Sequence, residues 1–166
     1  MKLYQKIAGL TIIVCILFSL SSCRIWINQT NNIEDDITKI ASVDIYDTND
    51  YVYTDSYDGS ILEIREHLSP IHTIADDDVA GFLNQLEELE YKRLVLLVPA
   101  AVDYAHIFSD GYIVVIEYVN GGCDIYAEKG IYVHTVNDEG SIGYNYYPAE
   151  YRGETPWNDF IEKYIQ

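Results

Sequence analysis

Two segments of the chain carry apolar residues three or four positions apart, which is the spacing of one helix face. The first predicts a helix over about 76–91, with Asp76 as its N-cap. The second predicts a helix over about 156–165, where Thr155 and Pro156 suit the cap and the first helical position. Each helix would bury one apolar face against the rest of the fold.

Shorter runs that alternate or are continuously apolar predict strands. Residues 40–46 alternate well enough for a half-buried strand. The continuous apolar run 94–98 indicates a strand that is covered on both faces. An Asp-Gly pair between two β-rich runs predicts a hairpin over about 51–66.

Four further runs lie between about 112 and 147, and Gly-containing turns separate them. Strands joined by such tight turns must be antiparallel, so this segment predicts a four-strand meander. Together with the two helices, the pattern predicts a single α+β domain over 37–166. We expect a mostly antiparallel sheet with both helices packed on one face.

The apolar run at residues 7–20 has a different meaning. Two lysines and no acid precede it, and it is too short to cross a bilayer comfortably, as in a secretory signal. It ends in Leu-Ser-Ser-Cys at positions 20–23, which resembles the lipobox of bacterial lipoproteins. The alternatives are an ordinary secretory signal with an unrelated cysteine, and an uncleaved anchor helix.

The resemblance covers residues 1–23 only and concerns targeting. It implies that residues 1–22 are a signal peptide that is removed, and that Cys23 carries a diacylglyceryl group. The new amino end can then take a further acyl chain such as palmitate, and two chains suffice for stable anchoring. The resemblance therefore implies a lipoprotein of the bacterial cell envelope, anchored to the membrane with its domain outside the cytoplasm.

Residues 23–36 are predicted to form the lipidated cysteine and a tether, because 28–36 are polar. A flexible segment of about a dozen residues spans roughly 20 Å, which would hold the domain close to the membrane. Trp26 either rests at the level of the lipid headgroups or folds back onto the domain. The sequence leaves both arrangements open.

The charge of the chain limits the classes of partner that the domain is expected to bind. The chain has 27 acidic and 10 basic residues and a formal net charge of −17. Residues 1–22 hold two of the lysines and no acid, so their removal would leave a charge of about −19. Such a surface repels nucleic acid and attracts cations, so we exclude nucleic-acid binding and expect a basic protein or peptide as partner.

No arrangement of residues selects a metal site or a cofactor. The acids between 44 and 58 fit no register of a calcium-binding loop, and the four histidines have no zinc-ligand spacing. The alternative functions are the capture of a metal or small ligand by these acids, and a small envelope hydrolase. A hydrolase would need a carboxylate pair, or Cys123 as a thiolate beside a histidine. We predict no cofactor and no catalytic residue, and favour a binding module that is not an enzyme.

Tyrosine is unusually frequent, with 16 in the chain. Tyrosine offers a large contact area, few torsions and a hydroxyl, so exposed rows of it suit recognition surfaces. The alternative is that tyrosine simply favours half-buried strands. The predicted binding surface combines tyrosines with acids of the hairpin: Tyr51, Tyr53, Asp55, Asp58, Tyr144, Tyr146, Tyr147 and Tyr151.

Overall fold

The computed structural model describes residues 25–31, 33, 36–49, 67–95, 111–152 and 156–165. The strands are β1 (Ile25–Thr30), β2 (Ile40–Asp47), β3 (His72–Thr73), β4 (Glu90–Val95), β5 (Tyr112–Tyr118), β6 (Cys123–Ala127), β7 (Gly130–Val136) and β8 (Ile142–Tyr151). The helices are α1 (Val79–Glu88) and α2 (Pro156–Glu162), and a short 3₁₀ helix covers Ile37–Lys39. The mixture of a large sheet and helices in one compact body confirms the α+β class.

The eight strands form one sheet in the order β1-β4-β8-β7-β6-β5-β2-β3. Every neighbouring pair is antiparallel. Strands β5 to β8 are neighbours in chain order, which is the predicted meander, and β8 runs on to Tyr151 to pair with β4. The short turns between successive strands fix this part of the order, whereas β1, β4, β2 and β3 join it through longer connections.

Both helices pack against the same face of the sheet. Phe82 and Leu86 of α1 and Phe160 of α2 belong to one buried cluster with Val114 and Ile116 of β5. The rings of Phe82 and Phe160 lie 5.1 Å apart, so the two helices also touch each other. Both helices therefore contribute to the same buried cluster as β5.

The opposite face of the central strands is buried as well. A second cluster contains Ile113 and Val115 of β5 with Cys123 and Ile125 of β6, and Leu68 packs against it. Because successive strand residues point to opposite faces, β5 contributes to both clusters in turn. The continuous apolar runs of the meander therefore reflect burial on two sides.

The ends of the helices differ from the sequence expectation. The first helix was expected over 76–91, but α1 begins after Asp78 and ends at Glu88. Leu89 is already extended, and Glu90 starts β4, because pairing of this segment with β1 and β8 wins over one more helical turn. The second helix was expected over 156–165, but α2 ends at Glu162.

The predicted tether over 23–36 is shorter in the structure, because Ile25–Thr30 is the strand β1. All six of its residues pair with β4. Beyond the strand, the Asn31 side chain donates to the carbonyl of Leu86, at 2.7 Å, and Ile33 is buried in the first cluster. Part of this polar segment is therefore a strand, which pairing in the sheet and contacts with α1 hold in place.

Candidate functional site

The residues predicted as a binding surface do not come together on one face. Half of them lie outside the described residues: Tyr51, Tyr53, Asp55 and Asp58. The other four lie on β8, where Tyr144 is opposite His134. Tyr146 packs against the second cluster, while Tyr147 is opposite Ile131, a member of the first. The alternation along the strand thus places Tyr146 and Tyr147 on opposite sides of the sheet.

Tyr151 belongs to the core and not to a surface, contrary to the sequence expectation. It is only 7% exposed, and its ring stacks on Trp157 of α2 with the centroids 5.1 Å apart. Burial raises the pKa of its hydroxyl far above the usual range. The extension of β8 to pair with β4 carries this tyrosine under α2, so it is unavailable to a partner.

Three strands bring a polar cluster together at the edge of the first hydrophobic cluster. We call it the Asp124 cluster: Asp124 on β6, His134 on β7 and Tyr118 on β5. One carboxylate oxygen of Asp124 accepts the backbone N–H of His134, at 2.8 Å, and lies 2.7 Å from Nδ1 of its ring. The other oxygen accepts the Tyr118 hydroxyl, at 2.8 Å. Since a carboxylate only accepts, this contact places a proton on Nδ1.

The Asp124 cluster lies where the pairing between β6 and β7 ends. The register between β6 and β7 ends at the pair Ile125 and Tyr132. Just beyond it, the Asp124 carboxylate takes the His134 N–H that a backbone carbonyl would otherwise accept. The His134 ring then lies over Gly122, where an added Cβ would overlap it. No short motif announces this arrangement, because the three side chains come from separate strands.

The geometry gives the Asp124 cluster a structural role. A carboxylate that holds Nδ1 fixes the orientation of an imidazole ring, as in many catalytic sites, but a covalent reaction also needs a nucleophile beside the ring. Cys123, the thiol considered from the sequence, is fully buried in the second hydrophobic cluster. Tyr118, whose ring contacts the His134 ring in a tilted arrangement with the centroids 4.4 Å apart, belongs to the first.

Acidic side chains dominate the exposed turns. Asp76, Asp77 and Asp78 are all exposed in front of α1, as are Asp138 and Glu139 in the turn between β7 and β8. The basic residues are too few to neutralise the acids of the chain, since the formal net charge is −17. An excess of acid is therefore a property of the chain as a whole.

The two edges of the sheet differ in length. At one edge, β3 has only two residues, His72 and Thr73. At the other edge, β1 has six residues and reads Ile-Trp-Ile-Asn-Gln-Thr. Ile27, in the middle of β1, is 45% exposed. The polar residues between 28 and 36 predicted a tether, so the sequence pattern did not predict this edge strand, although Ile25 and Ile27 already alternate as in a strand.

Comparison of the chain with models of protein families, with curated proteins and with solved structures finds no match. In the described ranges, no group of three or more His, Cys, Asp and Glu side chains is placed to hold a metal ion. Among those same residues, no helix combines the length and the hydropathy needed to cross a membrane. We therefore assign no family to the chain, and its charge and sheet geometry are the basis for inferring a function.

Proposed function

We propose that the chain is a lipoprotein of the bacterial cell envelope whose domain, held outside the cytoplasm by lipid on Cys23, is a non-catalytic binding or inhibitor-like module for a basic protein or peptide. The formal net charge of −17 is the observation that carries the proposal. If every Lys and Arg were paired with an acid, seventeen carboxylates would still lack a counter-charge. Such a surface steers cationic partners toward the domain and repels anionic ones.

The ion pairs among the described residues support the proposal of a basic partner. Arg152 binds Glu90 at 2.7 Å, and Lys39 lies 4.0 Å from Asp36, so some of the few cations are already engaged with acids of the chain. The exposed acids in front of α1 and in the turn between β7 and β8 remain open to solvent. A partner with several lysines or arginines would bring the missing counter-charge.

The position of β1 brings the proposed anchor close to the domain. Ile25, the first residue of β1, is two positions after Cys23. Two residues of extended chain span at most about 7 Å, against the roughly 20 Å expected of a flexible tether. Lipid on Cys23 would therefore hold β1 at the surface of the membrane, where the domain would meet its partner.

Radiolabelled palmitate tests the anchor in the full chain expressed in bacteria. Cys23→Ala should abolish labelling and either release the protein from membranes or leave it uncleaved, because the sulfur that takes the diacylglyceryl group is gone. Cys123→Ala is the matched control and should keep the label and the membrane fraction. Labelling that persists in Cys23→Ala, or that is lost only in Cys123→Ala, would contradict the proposed anchor.

Charge selectivity is tested with the full chain in detergent micelles and two fluorescent peptides, one of seven lysines and one of seven glutamates. The lysine peptide should bind, and its affinity should fall at least tenfold between 50 and 500 mM NaCl, because salt screens exposed charges. The glutamate peptide should not bind under either condition. Equal binding of the two peptides, or no binding of the lysine peptide at low salt, would overturn the basic partner.

A further inference from the structure

Basic residues collect at one edge of the sheet, although the chain as a whole is acidic. We call this part the basic edge: β1 with the residues that flank it in sequence, 24–33, then 90–95 of β4, and 149–152, where β8 pairs with β4. It holds four of the eight basic residues that follow Cys23, and only two of the 27 acids. Strand pairing therefore brings together segments that are more than fifty residues apart in the chain.

Both acids of the basic edge have a basic counterpart within it. Glu90 binds Arg152 at 2.7 Å, and Glu150 on β8 lies opposite Lys92 on β4. Arg93 has uncharged residues opposite it on both neighbouring strands. The basic edge thus keeps an excess of two positive charges, whereas the formal net charge of the chain is −17.

The basic residues of β4 lie close to the proposed anchor. β1 begins two positions after Cys23, Arg93 lies opposite Ile27, and Lys92 is the adjacent residue of β4. Along an extended chain, Ile27 is at most about 14 Å from Cys23, and one more residue adds about 3.5 Å. A headgroup layer of roughly 6 Å and a screening length of about 8 Å carry the potential of a charged membrane to a similar distance. Lipid on Cys23 would therefore bring this part of β4 within reach of the headgroup charges.

The order of residue types from the anchor outward is that of a membrane interface. The residue pairs nearest Cys23 are all apolar: Ile25 with Val95, and Trp26 with Leu94. The two basic residues of β4 follow them along the strand. At bilayer surfaces tryptophan is enriched at the level of the headgroups, and basic residues are attracted to anionic lipids. The acids in front of α1 and in the turn between β7 and β8 would be repelled by the same lipids.

We propose that the basic edge binds the anionic phospholipid headgroups of the membrane that holds the anchor, so that the acidic remainder of the domain faces away from the membrane. Charge complementarity selects this occupant, because the local excess of positive charge lies where the chain meets the lipid. Each Lys or Arg near an anionic membrane favours the contact about fivefold. The presence of the membrane rests on the proposed function, whereas the basic edge follows from strand pairing alone.

Acetylation of individual lysines, measured by mass spectrometry, tests this contact in the full chain reconstituted into vesicles. Vesicles of phosphatidylcholine alone are compared with an equimolar mixture of phosphatidylcholine and phosphatidylglycerol. Lys92 should react at least about threefold more slowly in the anionic vesicles, and 500 mM NaCl should restore its rate, because salt screens the contact. Lys39 and Lys163 are exposed outside the basic edge and should react equally in both kinds of vesicle.

Two variants that each remove one positive charge give a matched comparison. Arg93→Gln should lower the preference for anionic vesicles about fivefold and so remove most of the protection of Lys92. Lys163→Gln should leave that protection unchanged. Circular dichroism should show both variants folded, and the measurement on Lys92 in the unsubstituted chain decides the matter even if Arg93→Gln does not fold.

Flotation of the vesicles separates failure of the anchor from failure of the basic edge. A chain that does not float with phosphatidylcholine vesicles contradicts the anchor and with it the proposed function. A chain that floats, but whose Lys92 reacts equally in neutral and anionic vesicles, keeps the anchor and overturns the contact. Equal slowing of Lys92, Lys39 and Lys163 would show that charge acts on the whole domain and not at this edge. Slowing of Lys92 by the peptide of seven glutamates in micelles, and not by anionic vesicles, would assign the edge to an acidic protein.

Discussion

Asp124 is 3% exposed, and its carboxylate accepts hydrogen bonds from the Tyr118 hydroxyl and from both the backbone N–H and the ring of His134. Asp124→Ala would leave these three donors without their acceptor. A buried donor without a partner costs about 1–3 kcal/mol, and water can reach the partly exposed His134 ring, so we expect a loss of about 3–6 kcal/mol. That is a large share of the roughly 5–15 kcal/mol that keeps a domain folded.

Two milder variants separate hydrogen bonding from charge. Asp124→Asn keeps the shape and one carbonyl oxygen, so His134 retains its acceptor and the Tyr118 hydroxyl can turn to accept from the amide. We expect a cost of about 2–3 kcal/mol, because bonds to a charged acceptor are each stronger by roughly 1 kcal/mol than neutral ones. Tyr118→Phe removes one bond and should cost about 1–2 kcal/mol.

Urea unfolding followed by tryptophan fluorescence measures these differences, since Trp157 of α2 is fully buried. The slope of the free energy against urea should be the same for all variants, which shows that the folded states remain equally compact. A loss below about 1 kcal/mol for Asp124→Ala would refute the reasoning, because the three donors could not then depend on this carboxylate. An equal loss for Asp124→Ala and Asp124→Asn would show that charge matters and acceptor geometry does not.

Three further predictions follow from burial and packing. Burial raises the pKa of the Tyr126 hydroxyl well above its ordinary value of about 10, so the folded state keeps a proton that the unfolded chain loses. The contribution of this proton to the free energy of unfolding is therefore fully present below pH 10, and above it the free energy falls by up to about 1.4 kcal/mol per pH unit. Tyr126→Phe should reduce this slope, as measured by thermal unfolding between pH 8 and 11. Gly122→Ala should lower the free energy of unfolding in urea by about 1–3 kcal/mol, because its Cβ would overlap the His134 ring. A neutral result would show that the ring moves aside easily. Arg152 contacts Glu90 at 2.7 Å, but both side chains are exposed. Arg152→Ala should therefore change the unfolding free energy by less than about 0.5 kcal/mol, and a loss above about 1 kcal/mol would contradict that expectation.

The position of β1 relates the fold to the proposed anchor. β1 is paired with β4, and the contacts of Asn31 and Ile33 with α1 hold the chain just beyond its end. If Cys23 carries lipid, β1 begins within about 7 Å of the anchor, so the domain would lie beside the membrane.

The amino-acid sequence by itself determined the elements whose signals are local. The turns between successive strands fixed the antiparallel order of β5 to β8, and the spacing of apolar residues in α1 and α2 fixed which helix faces are buried. Charge needs no structure, since 27 acids against 10 bases remain whatever the fold. These features depend on residues close together in the chain, or on composition alone.

Only the tertiary structure decided the rest, because the deciding contacts join residues far apart in the chain. Polar residues such as Asn28 look like part of a tether until β4, more than sixty positions later, supplies a strand to pair with. Tyr151 looks like a surface residue until α2 packs over it, and Asp124 looks like one more solvated acid until His134 and Tyr118 converge on it. In each case a partner from another segment offsets the cost of ordering or burying a polar group. The position of β1 at the end of the described strand order follows from the same cause, since strand order is a property of the whole sheet.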